Sequence, residues 1–176
     1  MVTVSDIKEA LPGWPDEVVS EWLLYFANDI GWPPPNPFGA HRWGRILGNR
    51  PLSWWAEVTW NSDSVDCGLN NMSERTRNLV GQIIADIANG TADEVTSRKY
   101  NHPFKYIMEN GSFPNPMVAM RAPDGLSFLD GHHRLAAFTD LQKIPSEVFE
   151  KRKLQKPSRN QQVWIGTHPE GELPLV

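Results

Sequence analysis

Five consecutive residues could bind an oxyanion such as phosphate: Asp130, Gly131, His132, His133 and Arg134. Gly131 permits a sharp turn, and the residues after it, to about Leu141, are predicted to form a helix. The first turn of a helix has unpaired backbone N–H groups and lies at the positive end of the helix dipole. With His133 and Arg134 in that turn, the segment has the properties of a phosphate site. The alternative is an ordinary surface helix capped by Asp130, with two solvated histidines.

A predicted β-hairpin leads into this turn. Two short apolar runs, 117–120 and 126–129, are separated by Asp124-Gly125, a dipeptide that is typical of tight hairpin turns. The hairpin and the following helix would present the side chains of His133 and Arg134 to a wet pocket rather than to the core.

The order of strand, Gly-His-His-Arg turn and helix resembles the ParB/sulfiredoxin superfamily, in which such a turn binds nucleotide phosphates. The resemblance covers residues 112–150, and the motif itself is most similar to that of ParB-like free serine kinases. It implies an α+β fold with a ParB/sulfiredoxin-like core, a small mixed sheet with flanking helices. It also implies that Gly131, His132, His133 and Arg134 bind the phosphates of ATP or another nucleotide.

The same resemblance suggests roles for further residues. His132 would shape the pocket or act in proton transfer, and Asp130 would hold the turn or a Mg²⁺ ion that arrives with the nucleotide. Three basic residues lie in the region that supplies further phosphate contacts in sulfiredoxin-like folds: Arg98, Lys99 and Lys105. In the serine kinases an upstream acidic residue is the base, and the candidates here are Glu57, Asp63 and Asp66. The alternative for each of these is an ordinary surface acid.

The sequence differs from those of two kinds of protein in this superfamily, the sulfiredoxins and the partitioning ParB proteins. Sulfiredoxins carry their catalytic cysteine at the position of His132, and the only cysteine here is Cys67. Reduction of a sulfinic acid by that mechanism needs a thiolate beside the phosphate, so this activity is not expected. Partitioning ParB proteins add a helix-turn-helix and a dimerising tail, for which residues 151–176 are too few. A complete partitioning protein is therefore not expected.

The 176 residues, 40% of them hydrophobic, are predicted to form three regions. Residues 1–40 would be a helical, Trp- and Pro-rich N-terminal extension, residues 41–156 the nucleotide-binding domain, and residues 157–176 a C-terminal tail. In the extension, a helix is predicted from Pro15 to Ile30, where Gly31 and a run of prolines end it. Four tryptophans are predicted to pack in the core, with a stacking platform for bases as the alternative: Trp43, Trp54, Trp55 and Trp60.

Residues 41–176 contain further predicted helices and strands. Ser73 and Gly90 would cap a helix that ends at Asn89 and buries a stripe including Leu79. A shorter helix is predicted from about His102 to Asn110. Trp54–Trp60 favours a strand, with a helix as the alternative, and Gln162–Ile165 is strand-like. A strand at Ser146–Glu150 is implied by the resemblance, in which a strand follows the helix after the turn.

Charge and cysteine content limit the classes of partner. The net charge of −4 argues against a protein whose main work is to bind duplex DNA, so DNA is possible but not favoured. The N-terminus lacks the features of a signal peptide, and no apolar run approaches the roughly 20 residues that span a bilayer. With a single cysteine, these features predict a cytoplasmic protein without a membrane partner. One basic cluster would line a nucleotide or RNA site or form a solvated tail: Lys151, Arg152, Lys153, Lys156 and Arg159.

The sequence thus favours a nucleotide-binding enzyme that hydrolyses or transfers a phosphate of a nucleoside di- or triphosphate. The phosphate acceptor would be a small molecule or a protein. One alternative is a nucleotide-gated, DNA-associated ParB-like module or nuclease. Another is a protein-interaction module whose site is inactive.

Overall fold

A mixed sheet forms the centre of the molecule in the computed structural model, which describes residues 1–172. Within these residues the sheet has four strands in the order β1-β4-β2-β3. The strands are β1 (Thr59–Asp66), β2 (Met117–Ala122), β3 (Gly125–Phe128) and β4 (Asn160–Thr167). β4 runs antiparallel to β1 and parallel to β2, and β2 and β3 form the predicted antiparallel hairpin. The chain is therefore an α+β protein, as the sequence predicts.

Both faces of the sheet are covered by helices. Along β2, Met117 and Ala119 point into one hydrophobic core, and Val118 and Met120 point into another. This alternation follows from the period of two in a strand, and the continuous apolar run of β2 fits a strand that is covered on both faces. Most of β1, at the edge of the sheet, is exposed.

One face of the sheet packs against four helices. They are α6 (Glu74–Asn89), α7 (Glu94–Asn110), α8 (His132–Lys143) and α9 (Ser146–Lys151). Ser73 and Gly90 cap α6 as predicted, the latter in the left-handed conformation. The predicted helix at His102 is longer than expected, because Asp93 accepts a hydrogen bond from the backbone N–H of Thr96 and starts α7 at Glu94.

Three local predictions are wrong. Ser146–Glu150 is not a strand but lies in α9, whose start is favoured by Pro145 at its N-cap and Glu147 in its first turn. The segment Trp54–Trp60 is divided, since α5 (Leu52–Trp55) precedes β1, which begins at Thr59. Leu79 on α6 is exposed, while Val80 beside it is buried.

The other face of the sheet packs against the N-terminal residues. Their helices are α1 (Val4–Ala10), α2 (Asp16–Val18), a π-helical segment (Val19–Leu23), α3 (Leu24–Ile30), α4 (Arg42–Ile46) and α5. We call residues 4–55 the N-terminal layer. Its core is made of tryptophans, with the Trp14 and Trp22 rings stacked at 5.9 Å between centroids. Trp43 and Trp55 are fully buried and Trp60 is buried, as predicted, whereas Trp54 is only partly buried against this core.

The segment expected as a C-terminal tail contains β4, an interior strand of the sheet. Val163 and Ile165 point into the core shared with α6–α9, and Trp164 packs against the N-terminal layer. None of the helices in residues 1–172 has the length and apolar character required to cross a bilayer.

Candidate functional site

The turn between β3 and α8 has the geometry that the sequence predicts. Gly131 adopts φ +81° and ψ +19°, the left-handed region, and precedes the first residue of α8 without a side-chain cap. Its carbonyl accepts the first helical hydrogen bond from Leu135 N–H at 2.9 Å. A Cβ at this position would lie 2.7 Å from Met117 Sδ and 3.2 Å from Arg134 Nε. Glycine is therefore required both by the backbone conformation and by the close approach of β2.

Arg134 joins this turn to the N-terminal layer. Its Nη1 donates to Glu21 Oε2 at 3.2 Å, and its Nη2 lies 3.9 Å from Asp130 Oδ2. The side chains of Arg134 and Glu21 are only 17% and 21% exposed. The guanidinium thus lies between two carboxylates in a partly desolvated position, which differs from the wet pocket expected from the sequence.

A cavity of about 350 Å³ opens beside Arg134. Small-molecule sites in proteins usually have volumes of about 300–1,000 Å³. The cavity is formed by the N-terminal layer, by α7 and by the turn before α8. Its lining residues are Ser20, Glu21, Tyr25, Phe26, Lys99, Asp130, Gly131, His133 and Arg134.

The polar half of the cavity contains both signs of charge. Lys99 and Arg134 are its cations, and Glu21 and Asp130 are its carboxylates. Burial lowers the pKa of His133, and the nearby charge of Lys99 lowers it further. His133 is therefore neutral at pH 7 and can donate or accept a hydrogen bond.

The other half of the cavity is aromatic. Tyr25 is 63% exposed, and its ring makes an edge-to-face contact with Phe26 at 5.4 Å between centroids and 78° between planes. The Lys99 ammonium lies 5.9 Å from the centre of the Tyr25 ring, near the outer limit of a cation–π contact. The lining of the cavity thus combines an exposed aromatic ring with charged groups.

His132 does not line this cavity, although it follows Gly131 directly. Its Nε2 is buried and has no hydrogen-bond partner among the described residues. Burial lowers the pKa of His132 to about 4, and the charge of Arg75 on α6 contributes to the shift. His132 is thus a neutral side chain packed toward α6, and this position gives no support to its predicted role in proton transfer.

Five of the predicted site residues meet at the cavity: Lys99, Asp130, Gly131, His133 and Arg134. Arg98 and Lys105 are exposed on α7 outside its lining. Glu57 is exposed between α5 and β1, and Asp63 is exposed in β1. Asp66 pairs with Arg159 at 3.2 Å. None of these three acids lines the cavity, so the predicted catalytic role of Glu57 has no geometric support there.

The sequence did not predict the contribution of the N-terminal layer to this cavity. Ser20, Glu21, Tyr25 and Phe26 lie more than 70 residues before Lys99 in the chain. Helical periodicity identifies the apolar face of their helix but not the element that its polar face meets. An unpaired acid or an exposed tyrosine in a helix is too common to indicate a site by itself.

Two carboxylates line the cavity, those of Glu21 and of Asp130, the residue for which the sequence predicts a role in holding magnesium. Among residues 1–172 there is no cluster of three or more His, Cys, Asp or Glu residues that could hold a metal ion alone. Magnesium in nucleotide sites is usually held by one or two carboxylates together with the phosphates. Asp130 could supply one such carboxylate, and it lies 3.9 Å from Nη2 of Arg134.

Cys67 lacks the properties of an activated nucleophile. It is fully buried, and burial together with the charge of Asp66 raises the pKa of its thiol to about 12. A thiolate would therefore not form at neutral pH.

Comparisons of the chain with protein-family models, curated proteins and solved structures found no match.

Proposed function

We propose that this protein is a nucleotide-binding enzyme that hydrolyses or transfers a phosphate of a nucleoside di- or triphosphate. The observation that carries the proposal is the position of Arg134 at the first turn of α8, beside Lys99 and His133 in one cavity. A guanidinium, an ammonium and a helix N-terminus are three independent sources of attraction for phosphate oxygens.

Arg134 would be the main phosphate ligand. Its fork of donors matches two oxygens of one phosphate, and its partial burial strengthens each charge-assisted hydrogen bond. In the structure the same donors face Glu21 and Asp130. A phosphate would therefore compete with the Glu21 carboxylate for the guanidinium, so Glu21 reduces the affinity for any ligand that does not also bring a cation.

The two carboxylates suggest how the chemistry would proceed. Phosphoryl transfer needs in-line positioning, neutralisation of charge and a group that orients the acceptor hydroxyl or water. When bound, Mg²⁺ would neutralise charge on the phosphates, and Asp130 is the residue suited to hold it. Glu21 would accept a hydrogen bond from the acceptor and orient it. His133 would donate to a phosphate oxygen in its neutral form.

We also propose that β2, β3 and α8 belong to a ParB/sulfiredoxin-like core. Support comes from the order of hairpin, glycine turn and helix, and from the parallel pairing of β2 with β4. The N-terminal layer would then be an addition to this core that completes the site by supplying Glu21 and Tyr25.

The test is isothermal titration of the protein with ATP, ADP, CTP and GTP in the presence of Mg²⁺, followed by measurement of phosphate release. Arg134→Ala should weaken binding by about 1.5–3 kcal/mol, roughly ten- to a hundredfold, as for the loss of a hydrogen bond to a charged group. Arg134→Lys should recover part of this loss, because it restores the charge but not the fork.

Arg45→Ala is a matched control, since Arg45 is an exposed arginine of α4 that lies outside the cavity. It should bind nucleotide as the wild type does. The proposal would be overturned if the wild type bound none of the four nucleotides, or if folded Arg134→Ala bound them with unchanged affinity.

A further inference from the structure

We infer that Tyr25 is the stacking platform for the base of the ligand, so that the cavity selects a nucleoside phosphate over a simple polyphosphate. This inference rests on the proposed function, because it uses Arg134 as the phosphate end of the same cavity. It adds a residue of the N-terminal layer to the site and gives that layer a role in ligand selection.

The exposure of Tyr25 is the first observation. Tyr25 is 63% exposed, although four tryptophans of the same layer are fully buried. An aromatic ring of this size that faces a cavity leaves a flat apolar surface in water. Covering such a surface with another flat ring is favourable, since aromatic rings supply large burial at a small cost in side-chain entropy.

The ring also has an aromatic neighbour. Phe26 contacts Tyr25 edge to face at 5.4 Å, and both residues belong to α3. A ring fixed on a helix by an aromatic neighbour loses little freedom when a base stacks on it, so more of the contact energy remains for binding.

Lys99 connects the aromatic end of the cavity to its phosphate end. Its ammonium is 5.9 Å from the Tyr25 ring centre, and its charge lowers the pKa of His133 in the first turn of α8. One cation thus acts on both ends. A nucleotide has the same arrangement, with a flat aromatic base at one end and an anionic phosphate chain at the other.

The chemistry of the lining favours a base over an aliphatic group. Ser20 belongs to the same layer as Tyr25 and offers a hydroxyl within the cavity. Nucleobases carry hydrogen-bonding groups on the edges of a flat ring, and proteins that bind them combine aromatic stacking with a few such polar partners.

The experiment compares ATP with inorganic tripolyphosphate, each with Mg²⁺, by isothermal titration. Tyr25→Ala should weaken ATP binding by about five- to a hundredfold, the usual range for loss of one stacked base. Tyr25→Phe should bind ATP within about twofold of wild type, because it keeps the ring. Tripolyphosphate, which has no base, should bind Tyr25→Ala and wild type equally.

Tyr106→Ala is the matched control, because Tyr106 is a 41% exposed tyrosine on α7 that does not line the cavity. It should leave both affinities unchanged. Stacking has its own signature in solution: the base protons of ATP should shift upfield in proton NMR on binding to wild type and to Tyr25→Phe, but not to Tyr25→Ala.

Three further results show whether this inference fails alone or together with the proposed function. If wild type binds tripolyphosphate through Arg134 and Tyr25→Ala binds ATP normally, the stacking inference is wrong and the phosphate site remains. If wild type binds neither ligand, both are wrong. Equal weakening of ATP and tripolyphosphate by Tyr25→Ala would also overturn stacking, since the residue would then act on the phosphate end.

Discussion

Glu21 and Arg134 are 113 residues apart in the chain, yet their side chains form an ion pair of 3.2 Å in the interior of one cavity. The pair links the N-terminal layer to the first turn of α8. It therefore acts on two properties at once: the attachment of the layer, and the availability of the guanidinium to a ligand.

Glu21→Gln should change these two properties in opposite directions. The free energy of unfolding should fall by about 1–3 kcal/mol, between the values for exposed and for buried ion pairs, because Arg134 loses a partner while it remains partly buried. Affinity for tripolyphosphate without Mg²⁺ should rise by about two- to fivefold, as expected when a partly exposed like charge is removed from the site. Urea denaturation and isothermal titration measure the two effects.

Glu9→Gln is the control for that substitution, because Glu9 is exposed on α1. It should alter neither quantity. A Glu21→Gln protein with unchanged stability and unchanged affinity would show that the ion pair contributes nothing in solution.

Gly131→Ala should destabilise the protein more than Gly111→Ala. Both glycines have positive φ, +81° and +75°, so alanine costs about 1–2 kcal/mol of backbone strain at each. Only at Gly131 would the new Cβ meet Met117 Sδ, at 2.7 Å, whereas at Gly111 it meets nothing within 4 Å. The contact with a fully buried methionine should add about 1–3 kcal/mol.

Thermal or urea unfolding of the two glycine variants measures this difference directly. Equal losses of stability would mean that Met117 of β2 moves away from the new Cβ at no cost in free energy. The turn would then require glycine only for its backbone angles. Gly131→Ala should also weaken phosphate binding, because its Cβ would crowd the Arg134 guanidinium.

Stability should decrease as the pH falls from about 6.5 toward 4. Burial lowers the pKa of His132 to about 4 in the folded protein, from an ordinary value of 6.5. Well above pH 6.5, His132 is neutral in both the folded and the unfolded state, and its contribution to the free energy of unfolding is complete. Below pH 6.5, His132 of the unfolded chain binds a proton that His132 of the folded chain does not bind, so this contribution is lost. The loss is at most about 3 kcal/mol, and His133, whose pKa is also lowered, acts in the same direction.

Urea titrations at several pH values test this dependence. His132→Asn keeps a neutral polar group and removes the ionisation, so its stability should vary less between pH 7 and pH 4.5. The assignment to His132 fails if the wild type and this variant show the same pH profile.

Cys67 should not react with iodoacetamide in the folded protein. Its thiol is buried, has a pKa raised to about 12, and lies 3.5 Å from the Val65 carbonyl. Cys67→Ala should therefore keep nucleotide binding and any turnover. Mass spectrometry after labelling in buffer and in urea gives the measurement, and rapid labelling in buffer would contradict the buried position.

Local signals in the sequence predicted the elements nearest to the site. Ser73 and Gly90 identify both ends of α6, and Asp124-Gly125 identifies the hairpin turn. Asp124 has a second role that the hairpin motif does not predict. Its carboxylate accepts a hydrogen bond from Glu74 N–H at 2.7 Å, at the start of α6. Such cross-element contacts depend on the tertiary fold.

The errors have a common physical cause. Val148 and Phe149 favour a strand by intrinsic propensity, but burial of Phe149 against the core and the proline before Ser146 select a helix. Likewise, the charges of Glu21 and Arg134 are visible in the sequence, whereas their contact depends on how the N-terminal layer packs on the sheet. Neither spacing nor composition carries that information.

The interior position of β4 determines when the sheet can form during synthesis. Thr59 at the start of β1 pairs with Thr167 at the end of β4, a separation of 108 residues, and β4 is the strand that joins β1 to the β2–β3 hairpin. At a translation rate of roughly 5–20 residues per second, β1 would wait on the order of ten seconds on the ribosome for its partner. Ribosome-bound chains that stop before Asn160 should be cleaved by protease within residues 59–66, and protection there would show that β1 folds without β4. The Trp-rich layer would be made first, and its apolar surface would stay exposed until the sheet forms.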